Sequence, residues 1–490
     1  MNIATLLDMA AAGDPDRVAI GPRDSGMTCA LLHRTAAGVA AVVRACGARE
    51  LVFAGLNGPA FPVMLFGAAL AGVPLVPVNY RLSADALTSL LAHTEKPLVV
   101  ADEAFTAGFE GFDVRTPEAL LKEALAVEPA SGLEASPDEP AVLLFTSGTT
   151  AAPKAAVLRH RHLSSYILQT VEFASADPSD AVLTSVPPYH VAGVGSVLSN
   201  LYAGRRMVHL GAFDPEAWLG LVRSEEVTSA MVVPTMLARI VEHLDGRPAS
   251  VPTLRSLAYG GARMPGTVLE AALRAFPDTG FTNAYGLTET SSTIALLGPE
   301  DHRAALMSDD PAVRARLGSA GRMVPGVEAE IRGAQEPGAP GELWVRGPQV
   351  SGEYKGAAAL LDADGWFHTR DLAHFDDDGY LFVSGRADDT IIRGGENIAP
   401  AEIEDVLLRH AAVREAAVVG VPDEEWGERI AAFVVLHEGV SVDAESLREW
   451  VRGRLRGSRT PDTVAFLSEL PYTPTGKLLR RRLLTTEAKG

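Results

Sequence analysis

Residues 141–156, AVLLFTSGTTAAPKAA, set an apolar run against a loop of hydroxyl and glycine residues, Thr146, Ser147, Gly148, Thr149 and Thr150, and then Lys154. A buried strand that empties into such a loop suits an anion. Backbone N–H groups of a tight loop converge on phosphate, hydroxyls add neutral donors, and a lysine adds a point charge. Taken alone, the window also fits a Ser/Thr-rich surface turn. Working outward, apolar runs of strand length recur at residues 51–54, 98–101, 182–186, 230–233 and 257–259, with helical stretches between them. That alternation predicts an α/β fold, with a large N-terminal part built on buried, largely parallel sheets.

Composition narrows the function classes. A chain of 490 residues, 47% hydrophobic and 21% charged, has ample material for a core. Its net charge of −19 presents a like-charged body to nucleic acid or an anionic membrane, so a polyanionic ligand needs a local site. Cys29 and Cys46 cannot build a disulfide framework and have no metal-ligand spacing around them, which points to a reducing cytoplasm and to no bound transition metal. The first 17 residues read as an amphipathic helix without the basic start and long apolar block of a signal peptide. Residues 55–80 carry no charge, yet Pro59, Pro62, Pro74 and Pro77 interrupt them. A buried helix over 60–71 feeding a strand over 73–78 is expected there, not a membrane span. Only six cations are lysine, at 96, 122, 154, 355, 477 and 489, so a lysine inside a motif stands out.

Past residue 318 the chain turns Gly- and Pro-punctuated and reads as a β-rich subdomain. Asp376-Asp377-Asp378-Gly379 between apolar runs is a hairpin signal. From about residue 388 a small α+β domain is expected, with helices over 401–411 and 444–455 and strands over 416–421, 431–436 and 464–466. The boundary thus divides residues 1–387 from 388–490, and no internal repeat or low-complexity tract is evident.

Four further segments carry candidate chemistry. In Tyr285-Gly286-Leu287-Thr288-Glu289, an acid at a strand end can ligate magnesium and shield phosphate charge, or Thr288 can cap a helix. In Gly365-Trp366-Phe367-His368-Thr369-Arg370-Asp371, a carboxylate can accept hydrogen bonds from a ribose diol or pair with Arg370. Residues 385–398, GRADDTIIRGGENI, place paired glycines where backbone can approach a ligand closely or simply turn. Last, Pro474-Thr475-Gly476-Lys477 reads by itself as an exposed basic turn.

Together, and with Pro187-Pro188-Tyr189-His190 and Tyr259-Gly260-Gly261-Ala262, these motifs resemble in order the adenylate-forming superfamily of acyl-CoA synthetases, non-ribosomal peptide adenylation domains and luciferase. The resemblance spans nearly the whole chain. It implies a large AMP-binding domain with a mobile C-terminal lid hinged at Asp388, and cofactors ATP, Mg²⁺ and CoA. Thr146, Ser147, Gly148, Thr149, Thr150 and Lys154 would hold the β and γ phosphates, and Glu289 the metal. Gly260, Gly261, Ala262, Asn283, Ala284, Tyr285 and Gly286 would frame the AMP moiety, Thr288 would touch the α-phosphate, and Asp371 and Arg386 would bind the ribose. Lys477 would bridge the attacking carboxylate and the α-phosphate, and Arg393, Gly394, Gly395 and Glu396 would line the path of CoA. Residues near His190 to Val194, Met231 to Met236, Tyr259-Gly260 and Leu287 to Ser291 would line the acyl pocket, with His190, Val194, Tyr259 and Leu287 at its border and His190 as a gate or as an ordinary core histidine.

The implied activity is an acyl-CoA synthetase acting on a hydrophobic acid, fatty or aryl, because an amino acid's ammonium would need a buried carboxylate. Loading of a carrier protein, thiolation from preformed acyl-AMP, and a non-catalytic binding role are the alternatives, and homodimerisation is left open. The chain departs from the pattern at Ala151, Ala155 and Arg370, where glycine is usual. A side chain at these positions restricts the backbone if φ is positive.

Overall fold

The alternating strands and helices form two large sheets, in a computed structural model that describes residues 1–132, 136–146, 154–334, 336, 338–394, 396–423, 425–472 and 478–487. The first sheet has six strands in the order Asp113–Arg115, Pro97–Ala101, Glu50–Ala54, Leu75–Pro77, Pro140–Thr146 and Lys154–Arg159. Its pairs are parallel except the last, an antiparallel hairpin in which Thr146 faces Lys154. The strand that opens the candidate phosphate loop and the strand that leaves it are therefore neighbours.

The second sheet has nine strands, with Gly280–Leu287, Ser256–Gly260, Ser229–Val232, Ala181–Thr184 and Arg206–His209 parallel through its centre. Successive side chains on a strand point to opposite faces, so each face draws on alternate residues. One face carries Leu183, Val208, Val232, Leu257, Tyr259 and Phe281 into a core closed by the helices Pro215–Ser224, Pro234–Leu244 and Gly266–Ala275. The other face carries Val182 and Met207 into a core with Val194, Val197, Leu198 and Leu201 of the helix Val191–Ala203.

The β-rich part is a four-stranded antiparallel sheet, Glu328–Arg332, Gly341–Arg346, Phe367–Phe375 and Leu381–Arg386. Its last two strands form the hairpin expected from the Asp-Gly signal, with Asp376 Oδ1 accepting from the backbone N–H of Asp378 and Tyr380. A separate five-stranded sheet uses only residues from Ile391 onward, with the helices Pro400–Leu408 and Ala444–Arg452 on its core cluster.

Helix 60–71 is observed as Ala60–Ala71, buried on every side. Differences lie at element ends. The strand expected over 182–186 stops at Thr184, ahead of Pro187 and Pro188, which have no N–H to give a ladder. The helix expected to 411 stops at Leu408, where a turn through His410 begins the strand Val413–Asp423. Among the described residues no helix is long and apolar enough to cross a membrane.

Candidate active site

The strands Gly280–Leu287, Phe367–Phe375 and Leu381–Arg386 bring three of the expected residues together. Asp371 and Arg386 are register partners. The Tyr285 hydroxyl donates to Asp371 Oδ2 at 2.5 Å, while Arg386 Nη1 donates to Asp371 Oδ1 at 3.2 Å and to the Thr369 carbonyl at 2.6 Å. Burial, and then the Asp371 carboxylate, push the Tyr285 phenol well above its ordinary value, so it stays a donor. Burial acts against the Arg386 charge, but the Asp371 and Glu289 carboxylates outweigh it and hold the guanidinium protonated.

Glu289 lies in the short turn Thr288–Thr290, which packs against the strand Lys154–Arg159. The buried Thr290 hydroxyl stitches this turn, accepting from Leu287 N and donating toward the Leu287 and Ser292 carbonyls. Ser291 and Ser292 then take positive φ of 57° and 120°. Tyr354 donates its hydroxyl to Glu289 Oε1, and the Glu289 carbonyl accepts from Ser351 N at 2.8 Å. Tyr354 is itself held by a bridge to Ala156 on the strand after the phosphate loop. Sequence reasoning missed Tyr354; its position is set by a long-range bridge, and no local pattern marks it.

Two glycines have steric reasons. A Cβ on Gly260 would stand 2.3 Å from the Ala284 carbonyl oxygen, and one on Gly286 would stand 1.8 Å from that of Ser292. Neither strand could keep its place with a side chain there. Gly261 and Ala262 follow as exposed residues, and the Asn283 amide donates to the Ser319 carbonyl at 2.8 Å.

Ser147, Gly148, Thr149, Thr150, Ala151, Gly395 and Lys477 lie outside the described residues, and Thr146 is described in its backbone only. Ala155 sits in the strand Lys154–Arg159 with its methyl in a core cluster beside Leu143 and Val157, and it has no positive φ. Arg370 does have one, 63°, the left-handed region that favours glycine, and its guanidinium reaches to 3.9 Å from Asp388 across exposed surface.

At the acyl end two expectations are corrected. Tyr259 lines no pocket: it is 0% exposed, points into the closed core, and its hydroxyl meets His302 Nε2 at 2.9 Å. The strand's alternation puts Ala258 on the opposite face instead. Val194 is likewise 0% exposed and packed in the core under its helix. His190 caps the start of Val191–Ala203; its ring stacks obliquely on Tyr189 at 4.9 Å, and its buried Nε2 has no partner. Burial lowers its pKa to about 4, so the ring is neutral. Leu287 is partly buried against the core of the four-stranded sheet.

A cleft of about 2090 Å³ opens between the helix Gly266–Ala275 and the four-stranded sheet on one side and the small C-terminal unit on the other. Gly394 and Glu396 line it, facing Arg263 and Met264, and Arg263 pairs with Asp405 across it. Arg393 is turned inward, donating to Asp462 at 2.8 Å. Asp388 lies in the short turn Ala387–Asp389, between the last strand of the four-stranded sheet and the first of the small sheet.

A family model described as AMP-binding enzyme matches residues 7–355, and one for the AMP-binding enzyme C-terminal domain matches residues 402–477. The chain is 35% identical to a feruloyl-CoA synthase of Amycolatopsis sp, covering 95% of each chain. It is 33% identical to the fatty acid–[acyl-carrier-protein] ligase ScoC of Streptomyces coeruleorubidus, covering 96% of this chain and 94% of that one. Among solved structures it is similar to o-succinylbenzoate CoA synthetase (MenE) from Bacillus subtilis. The complex with the acyl-adenylate intermediate OSB-AMP gives a TM-score of 0.85 at 30% identity over 98% of this chain and 97% of that one. The complex with ATP and magnesium ion gives 0.84 at 29% identity over 98% of each.

Proposed function

The chain belongs to the AMP-binding enzyme family, and from that premise we propose how its residues divide the work of an ATP-dependent acid–thiol ligase. The reaction has two halves. A carboxylate oxygen attacks the α-phosphorus of ATP and pyrophosphate leaves; then a thiol sulfur attacks the acyl-AMP carbonyl, losing its proton, and AMP leaves. The observation that carries the reading is the trio Tyr285, Asp371 and Arg386, joined by hydrogen bonds within reach of Glu289. Asp371 would accept from the ribose hydroxyls, with Arg386 and Tyr285 fixing its carboxylate, and Gly260, Gly261 and Ala262 would frame the adenine. Thr146, Ser147, Gly148, Thr149, Thr150 and Lys154 would hold the outer phosphates.

Magnesium fits one carboxylate here. Tyr354 occupies Oε1 of Glu289, and no cluster of three His, Cys, Asp or Glu side chains exists among the described residues. Phosphate oxygens and water would complete the coordination, as is usual for this ion, and when bound it would neutralise phosphate charge.

We assign Lys477 to the attacking carboxylate and α-phosphate, and Asp388 to a hinge that swings the unit after it so that Gly394, Gly395 and Glu396 face the site for the second half. Such an exchange is a gating step. The acid is hydrophobic, aliphatic or aryl, with His190 at the pocket's border, and CoA is the thiol. To test this, the purified protein is incubated with a panel of acids, Mg-ATP and CoA, and pyrophosphate and thioester are followed separately by mass spectrometry. Both products from one acid are expected. Pyrophosphate without CoA thioester would move the acceptor to a carrier protein, and thioester only from supplied acyl-AMP would remove the first half-reaction.

A further inference from the structure

On the face of the nine-stranded sheet that carries Val182 and Met207, sheet register sets His209, Thr184, Met231, Ala258 and Thr282 side by side across five strands. The opposite face closes into solid core, but here His209, Met231, Ala258 and Thr282 keep accessible surface although they stand mid-sheet. Thr184 is 5% exposed, and its Oγ1 has no partner. His209 Nε2 beside it and Ser229 Oγ, one pleat back on the next strand, are also buried without partners. Two more orphans, Tyr189 Oη and His190 Nε2, lie on the loop that leaves Thr184 toward the helix covering this face. Buried polar atoms are normally paired, because an unmet donor or acceptor loses the hydrogen bonds it made to water. Three at adjoining positions of one sheet face, among small or flexible apolar residues, with two more on the loop that leaves it, describe a wall with hydrogen-bonding capacity left over.

Resting on the ligase reading above, we infer that this row is the far end of the acid's pocket and that the acid carries an uncharged hydroxyl or carbonyl oxygen, held by Thr184 and His209. The polar group is neutral because neither this row nor the one behind it, Met207, Val182, Ser229, Ser256 and Gly280, contains a charged residue. Burial also keeps His209 uncharged, with its pKa near 4. A second carboxylate would therefore be desolvated without a counter-charge. Thr184 stands two strands from Ala258, on the strand that ends at Gly260, so the oxygen sits roughly 10 Å from the activated end of the acid. A wall built to hydrogen-bond such a group discriminates against the analogue that lacks it far more than an apolar pocket discriminates against an extra methylene.

The test measures kcat/KM for pyrophosphate release on matched acids, 4-hydroxycinnamate against cinnamate and 8-hydroxyoctanoate against octanoate. Wild-type protein is expected to favour the oxygenated member of at least one pair by about tenfold or more. Thr184→Val should bring that ratio to within about threefold, His209→Phe should lower it, and Thr184→Ser should keep it. A merely structural threonine would slow both members of a pair equally in Thr184→Val, and that result overturns the inference. So does a wild-type ratio near one in both pairs while pyrophosphate is released. No pyrophosphate from any acid contradicts the ligase reading itself, and the inference falls with it.

Discussion

The two ends of the site treat their polar groups in opposite ways. At the nucleotide end Asp371 already holds Tyr285 and Arg386, and Glu289 already holds Tyr354. At the acyl end Thr184, His209, His190 and Tyr189 each keep an unpaired buried atom. The difference teaches what each end is for. On the proposed ligase reading, charged phosphates and a ribose would be bound by groups whose geometry is fixed beforehand, so that little reorganisation is needed as charge develops. On the inference drawn above, the acid's tail would be bound by groups whose cost is recovered only when the right tail arrives.

The comparison breaks most sharply at Lys477, the charge we assign to the small C-terminal unit. Lys477→Ala should lower acid-dependent pyrophosphate release by about 10²–10³-fold, and leave thioester formation from supplied acyl-AMP within a few-fold. Equal loss in both half-reactions would show that a single arrangement serves both. Next comes the prepared end itself. Asp371→Asn keeps the shape but removes the charge that orders Arg386 and Tyr285, so KM for ATP should rise about 10–100-fold in steady-state kinetics, with the acid's KM little changed. Tyr354→Phe removes one hydrogen bond to Glu289 and should alter the magnesium concentration needed for half-maximal rate by about tenfold at most, read from a magnesium titration of pyrophosphate release.

The smallest effect on activity is expected from pH. His190 and His209 are neutral with pKa values near 4, as are His160 and His162 elsewhere in the same large domain, because burial disfavours their charged forms. Discrimination between matched acids should therefore be flat from pH 6 to 8. Stability should not be. Each pKa is depressed on folding, so below the unfolded value of 6.5 the unfolded chain binds protons that the folded one refuses. The contribution is full above that value and is lost as pH falls toward 4, by up to about 1.4 kcal/mol per pH unit for each histidine. Thermal melts across pH 4.5–7.5 check the direction.

Sequence alone disclosed the prepared end better than the waiting end. Asp371, Arg386, Tyr285 and Glu289 lie in contiguous motifs whose residue types are tied to phosphate and ribose chemistry. Tyr354 was illegible because a bridge to Ala156, far away in the chain, brings it to Glu289. Tyr259 was misplaced for a simpler reason. Residues adjacent on a strand face opposite ways, and Tyr259 shares its face with Leu257, Val232 and Phe281, all core. Counting from Leu257 by twos would have sent Tyr259 inward and Ala258 toward the acid. Of the row His209, Thr184, Met231 and Ala258 only Met231 was legible, since the rest depends on the order in which strands from separate segments assemble. Of the departures from glycine, Ala155 proves to be a buried strand residue, whereas Arg370 does occupy the left-handed conformation.

The most direct test of the whole account is a stoichiometric one. Protein, Mg-ATP and an accepted acid are mixed without thiol, and nucleotides, pyrophosphate and acyl species are quantified before and after CoA is added. The predicted result is about one pyrophosphate and one bound acyl-AMP per active site, followed on adding CoA by one AMP for each thioester formed. Formation of ADP and phosphate, or AMP with no acyl-AMP before it, would contradict the account.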